Sequence, residues 1–225
     1  HILRSVDPKS ILSLNGARVT DMVLSLMPSE TVTNFRMALR FIRLWAKNRG
    51  VYSNVFGYLG GVSWGILTAY VCQLYPLAAP SKLLEKFFQL YQQWKWPFPI
   101  FLNEPKYDVG LGLPVWNPKE NYRDKQDLMP IITPAYPCMN STHNVSRATL
   151  KVLQAEFARG HELFEELAQK TKRGEKIEKP EEIWEKLLEE STFFFDHKDY
   201  LDVKVSSRKE EDQLMWLGYV ESKMR

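Results

Sequence analysis

Between Thr31 and Leu84 the sequence contains no aspartate or glutamate, and between Arg49 and Lys82 it contains no charge of either sign. Any cation in the first stretch therefore lacks a sequence neighbour to neutralise it. The second stretch is long enough to supply the roughly 20 apolar residues of a membrane span. Against that reading, Gly57, Gly60, Gly61, Ser63, Gln73 and Pro76 interrupt it. A helix apolar on every side is equally expected at the centre of a helical domain, and the buried-helix reading is preferred. Cysteine is scarce: Cys72 and Cys138 have neither the number nor the spacing of a disulfide framework or a zinc site. Both are expected as free thiols in a reducing compartment. His1, His143, His161 and His197 fall in no metal-ligand spacing. The N-terminus lacks a charged, apolar, small-residue signal, so the sequons at Asn140 and Asn144 are expected to stay unglycosylated. No internal repeat or low-complexity segment occurs.

What is present is an ordinary globular composition, with 44% hydrophobic and 25% charged residues among 225 and a net charge of +3. The charge is unevenly spread. Residues up to Val145 hold 15 basic against 9 acidic side chains, and those from Ser146 onward hold 15 against 18. A site for a polyanion is expected in the first part.

Helical spacing dominates that part. From Ile2 to Met27 the pattern reads as short helices broken at Asn15-Gly16, with Asn15 a candidate N-cap. The strongest periodicity runs from about Asn34 to Arg49, where Phe35, Ala38, Leu39, Ile42, Trp45 and Ala46 share one face. Gly57 to Tyr75 reads as a buried helix, and Ser81 as the cap of another carrying Leu84, Phe87, Phe88, Tyr91 and Trp94. Eight of the thirteen prolines lie between Pro97 and Pro137, which predicts long irregular structure. After Asn144 an amphipathic helix carries Leu150, Leu153, Phe157, Phe164 and Leu167, followed by a charged linker from Lys170 to Lys179. Pro180 opens a short acidic helix, Phe193 to Ser206 reads as a strand, and Lys209 to Met224 as a helix. The fold class expected is mainly α with a smaller α+β part.

The polar face of the Asn34–Arg49 helix carries the chemistry. At 100° per residue Arg36, Arg40, Arg43 and Lys47 project within about 60° of one another, as one basic stripe. An ordinary solvated face would intersperse Glu at i,i+4; its absence points to a polyphosphate or nucleic acid. Just beyond, Tyr52 and Asn54 offer hydrogen-bonding side chains, and Gly60-Gly61 lets a ligand approach the main chain.

The order of these residues carries a resemblance. Ser13-Leu14-Asn15-Gly16-Ala17-Arg18-Val19-Thr20-Asp21, Leu44-Trp45-Ala46-Lys47, Val51-Tyr52-Ser53-Asn54, Gly57-Tyr58-Leu59-Gly60-Gly61-Val62-Ser63-Trp64 and Met129-Pro130-Ile131-Ile132-Thr133-Pro134-Ala135-Tyr136-Pro137 follow one another as in the central domain of eukaryotic nuclear poly(A) polymerases. The likeness continues through Asn140-Ser141-Thr142-His143-Asn144-Val145-Ser146 and ends on Val220-Glu221-Ser222-Lys223-Met224-Arg225. It implies a helical central domain over residues 1–144 and a partial RRM-like RNA-binding domain over 145–225. It also implies template-independent transfer of AMP from ATP to a pre-mRNA 3′ end, in the nucleus, alongside cleavage and polyadenylation factors and without a membrane. By the same resemblance Asn15, Arg43, Lys47 and Tyr52 hold the triphosphate, and Asn54, Gly61 and Val62 line the adenine pocket. The family usually has Lys where this chain has Arg43, so a planar fork replaces a point charge at that phosphate contact.

The Mg²⁺ or Mn²⁺ ions implied by the resemblance need carboxylates that the superfamily places on strands after a Gly-Ser turn, and no such segment occurs. The only Asp/Glu-x-Asp/Glu spacing, Glu210 to Asp212, reads as a solvated helix start. These 225 residues alone are therefore expected to lack adenylyl transfer. Two other readings stand beside this one: a catalytically inactive RNA-binding scaffold, and a terminal uridylyltransferase selecting another base in a similar cleft.

Overall fold

The computed structural model describes residues 6–105, 112–174, 181–196 and 198–224. By contacts the chain divides into one compact unit ending at Glu189 and a second from Glu190 onward. The far end of the expected linker (175–180, with Pro180), His1 and His197 lie outside the described residues.

The first unit is helical. Helix α1 (Pro8–Ser25) runs unbroken through Asn15-Gly16, where a break was expected. Gly16 sits on an open face with nothing near the position of a Cβ, and its carbonyl accepts from Thr20 Oγ1 at 3.0 Å. A glycine there costs only about 1 kcal/mol of helix propensity, which packing of Val19 and Val23 offsets. Asn15 is thus a mid-helix residue and caps nothing. Helix α2 (Ser29–Asn48) starts directly after Pro28, earlier than its apolar periodicity indicated, and buries Phe35, Ala38, Ile42, Trp45 and Ala46. Helix α3 (Gly61–Leu74) is buried at nine of its fourteen positions. It begins four residues later than expected because residues 53–59 form a turn. Helix α4 (Pro80–Gln92) starts at Pro80, not behind a Ser81 cap; Ala79 holds the N-cap position without a side-chain hydrogen bond. Proline's preset φ supplies the start that a capping hydroxyl would otherwise give.

These helices meet at an aromatic core. The fully buried Trp45 packs edge-on to Trp64 (centroids 5.6 Å) and Phe88 (4.9 Å), and Phe157 stacks on it at 6.1 Å. Tyr91, also fully buried, satisfies its hydroxyl by donating to Leu67 O at 2.7 Å, as a buried polar group must. The proline-rich stretch is irregular, as expected. Isolated bridges join Ile100 to Ile131 and Ile132 to Asn140, and a 3₁₀ turn covers Asp124–Gln126. Among the described residues no helix is long and apolar enough to cross a membrane.

The unit boundary falls at Glu189 rather than after Asn144. Ser146 is the cap of helix α5 (Arg147–Lys172): its hydroxyl accepts from Thr149 N, and Thr149 Oγ1 accepts from Ser146 N. The Asn144–Ser146 segment is thereby a helix start, and α5 lays Leu153, Phe157 and Phe164 into the same core. Helix α6 (Glu182–Leu188) packs behind it, with Ile183 and Leu187 buried.

The second unit holds helices α7 (Phe193–Asp196) and α8 (Glu210–Met224), and residues 199–207 between them have no regular secondary structure. The expected strand over Phe193–Ser206 is not formed, and no RRM-like sheet occurs among the described residues. The alternation of Leu201, Val203 and Val205 is real, but an extended segment becomes a strand only against a partner. Here Leu201 is 95% exposed. Glu210 and Asp212 lie in the first turn of α8, where their charge suits the helix dipole.

Neither cysteine forms a disulfide and both are buried, and burial pushes the Cys72 thiol up to about 12. Neither is expected to react with a thiol reagent at pH 8 until denaturant is added. One equivalent of label taken up by the native chain would contradict this placement.

Candidate functional site

The stripe inferred from α2 exists as a surface. Arg36, Arg40, Arg43 and Lys47 are all exposed, and none has an acidic partner among the described residues. What the helix arithmetic did not reveal is the ring beneath it. Arg43 Nη2 donates to the Tyr52 hydroxyl at 3.2 Å. Arg43 Cζ and Lys47 Nζ lie 5.8 and 5.5 Å from the Tyr52 ring centroid. Each cation–π contact contributes about 0.5–1 kcal/mol at an exposed site. Both charges are thereby held beside one another while remaining open to solvent.

Tyr52 owes its position to two local features. A lone bridge pairs it with Leu59, across a turn in which Tyr58 N bonds to Ser53 O at 3.0 Å and Gly57 N to Asn54 O at 3.2 Å. Gly57 takes φ +78°, which side chains rarely adopt. Asn144 closes the turn from the far end of the proline-rich segment, its amide donating to Asn54 O at 3.1 Å. Gly61 supplies the second feature. A Cβ there would lie 3.0 Å from the Tyr52 hydroxyl, so a glycine lets tyrosine, arginine and the start of α3 converge. Gly60, the N-cap of α3, offers no side chain to its first-turn amides. That end carries the positive pole of the helix dipole and suits an anion.

A cavity of about 370 Å³ opens between α1, α2 and the start of α3. Arg43, Gly61 and Val62 line it together with Val19, Thr20, Val23, Leu24, Phe35, Leu39 and Gly65. The arrangement is mostly apolar with one cation at its edge, as ligand pockets commonly are. Lys47 and Tyr52 adjoin through Arg43, and Asn54 adjoins through Gly60, whose Cβ position lies 3.6 Å from Asn54 Cβ. Asn15 stands one turn before Val19 on α1, outside the lining set. The side-chain oxygens of Asn15 and Asn54 are both buried without a hydrogen-bond partner, an orphaned state that a bound donor would relieve.

Of the seven residues expected from the resemblance, Arg43, Gly61 and Val62 line the cavity, Lys47 and Tyr52 gather beside Arg43, and Asn54 and Asn15 lie outside the lining. The α1 wall, Val19 to Leu24, escaped the sequence reading because its helical spacing indicated core and nothing more. Among the described residues no group of three or more His, Cys, Asp or Glu could hold a metal ion. The divalent ions implied by the resemblance have no ligand set there, and no step is assigned to them in this chain.

Comparison with known proteins gives a consistent result. The model of the poly(A) polymerase central domain matches residues 34–189, and that described as "Poly(A) polymerase predicted RNA binding domain" matches 192–225. A poly(A) polymerase of Dictyostelium discoideum is 52% identical over 99% of the chain and 26% of its own length. Nuclear poly(A) polymerases 1 and 4 of Arabidopsis thaliana are 46% and 47% identical over 100% of the chain, and over 30% and 28% of their own lengths. The chain spans between a quarter and a third of the curated relatives it matches.

Proposed function

The chain belongs to the poly(A) polymerase family, and we propose that it is the nucleotide- and RNA-gripping portion of an enzyme that adds AMP to the 3′ end of pre-mRNA in the nucleus. ATP and an RNA 3′ end are its substrates, and cleavage and polyadenylation factors its partners in that reading. The observation that carries it is the convergence of Arg43 with Gly61 and Val62 at one cavity, beside Lys47, Tyr52 and the uncapped start of α3. Nuclear residence is supported by the names of the plant relatives.

In this reading the triphosphate lies against Arg43 and Lys47, with the Tyr52 hydroxyl steadying the guanidinium. The base enters the apolar cavity, where Val62 offers a face, and its edge reaches past Gly60 to the unpartnered Asn54 oxygen outside the lining, which accepts a hydrogen bond. An exocyclic amino group of adenine would supply that donor. The chain's own contribution to transfer is positioning and neutralisation of charge, which dominate phosphoryl-type chemistry. Divalent ions would supply activation of the attacking hydroxyl, on carboxylates that the described residues do not gather.

Arg43→Ala with Lys47→Ala, in the full-length enzyme, is expected to weaken ATP binding at least about tenfold, since each charge-assisted hydrogen bond contributes roughly 1.5 kcal/mol or more. Adenosine binding is expected to change less than about threefold. Equal losses for both ligands would move these cations away from the phosphates. Filter retention of ATP and UTP, with Asn54→Ala alongside, tests the base: ATP preference lost in Asn54→Ala supports the adenine pocket, equal retention of both nucleotides by the unaltered enzyme removes support for it, and preferential retention of UTP favours a uridylyltransferase.

A further inference from the structure

The triphosphate reading uses only half of the α2 stripe. From Arg36 to Lys47 the helix rises about 16 Å, and Arg36 stands about 10 Å beyond Arg43. With the triphosphate seated at Arg43 and Lys47, Arg36 and Arg40 have no part in that reading. Arg36 and Arg40 are nevertheless exposed and make no hydrogen bond or ion pair among the described residues. Unlike Arg43 and Lys47, they do not lean on an aromatic ring.

The relief around them is informative. Arg40, Arg43, Leu44 and Lys47 line a groove of about 230 Å³, distinct from the nucleotide cavity, and Arg43 alone lines both. Beside the cations run two exposed apolar side chains, Met37 at 56% and Leu44 at 48%. They are seven residues apart and so project within about 20° of each other. A row of unneutralised cations flanked by a parallel apolar row fits an unpaired polynucleotide, whose phosphates follow the charges while riboses and bases lie on the apolar side. An acidic protein surface is the competing occupant, and unchanged oligo(A) affinity in the test below would favour it.

We infer that the Arg36–Arg40 half of this helix face, with Met37 and Leu44, is a track for the single-stranded RNA substrate, which enters the groove at Arg40 and Leu44 and ends where Arg43 and Lys47 hold the triphosphate. This rests on the proposed function, and it puts an RNA contact in the central domain, apart from the segment whose family description mentions RNA binding.

The test uses the full-length enzyme, an oligo(A) primer and ATP. Arg36→Ala with Arg40→Ala is expected to weaken oligo(A) binding about tenfold by fluorescence anisotropy. The slope of log K against log salt should flatten by about 1.4, the value for two single-strand phosphates at 0.7 each. The KM for ATP should change less than twofold. Arg36→Lys with Arg40→Lys, which keeps both charges, should restore the slope. Unchanged oligo(A) affinity and slope would overturn the inference, as would a raised KM for ATP with RNA binding intact. If Arg43→Ala with Lys47→Ala leaves ATP binding untouched while the Arg36/Arg40 result holds, the nucleotide site fails and the RNA track survives.

Discussion

Glu156→Ala is expected to lower the melting temperature by about 10 °C, from a loss of about 3 kcal/mol or more for breaking a largely buried ion pair. Arg49 grips Glu156 with two hydrogen bonds of 2.9 Å, and Arg159 Nε adds a third at 3.2 Å. The Arg49 and Glu156 side chains are only 12% and 13% exposed, so alanine would leave two guanidinium groups short of their counter-charge. The effect spreads because both arginines also hold the end of α6. Arg49 Nη1 donates to Glu189 O at 3.1 Å, Arg159 donates to Lys186 O and Leu187 O at 3.0 Å each, and the Asn48 amide donates to Leu188 O at 2.7 Å. Those carbonyls are the groups a helix leaves unsatisfied at its C-terminus. Glu156→Gln should fall between wild type and alanine, because it keeps acceptor geometry on one oxygen only. A shift of less than 2 °C for Glu156→Ala in a thermal melt would mean that solvent, not Glu156, satisfies the arginines.

Gly160→Ala should destabilise by about 2 kcal/mol, although alanine is the better helix former by about 1 kcal/mol. A Cβ at Gly160 would lie 2.3 Å from Phe88 Cδ1, 2.5 Å from Cε1 and 2.7 Å from Cγ. The ring cannot retreat: it is fully buried, packed edge-on to Trp45 at 4.9 Å and Phe87 at 5.4 Å. Forcing a methyl into a filled core costs about 1–3 kcal/mol or more, and so close an approach belongs at the upper end. The sign is what a urea titration decides. A midpoint moved upward would mean that α5 shifts off α4 without penalty. Combining Gly160→Ala with Phe88→Leu should recover part of the loss, because the smaller side chain makes room for the methyl.

Much of the architecture was legible along the chain, and the exceptions have physical causes. The apolar periodicity of α2 marked Phe35, Ala38, Leu39, Ile42, Trp45 and Ala46, of which all but Leu39 are buried; Leu39 is half-buried and lines the cavity. The uncharged stretch after Arg49 became a core helix. The break expected at Asn15-Gly16 did not occur, since local propensity is a penalty of about 1 kcal/mol and burial along α1 outweighs it. Ser81 lost the helix start to Pro80 for a similar reason: two good starters lay side by side, and the chain used the first. The alternation in 201–205 indicated a strand, but pairing is a property of two segments, and one segment cannot declare its partner.

The candidate site divides the same way. Composition and the 3.6-residue period placed four cations on one face, without acids, because helix geometry is local and repeats. The depth of α5 in the aromatic core, the clamp of Arg49 and Arg159 on α6 and the seating of Phe88 against Gly160 all join residues dozens of positions apart. Near the stripe, the turn pinned by Asn144 and the α1 wall of the cavity also depend on such pairings, while Tyr52 reaches Arg43 and Lys47 across only nine and five residues, where the helix has ended and its period no longer applies. Which of several compatible surfaces meet is settled by packing the whole chain at once. The residue types, their order and the helical period determined the chemistry available; only the tertiary structure decided that one ring would hold two of those four charges, and that one of them would stand with a glycine and a helix start at the mouth of a cavity.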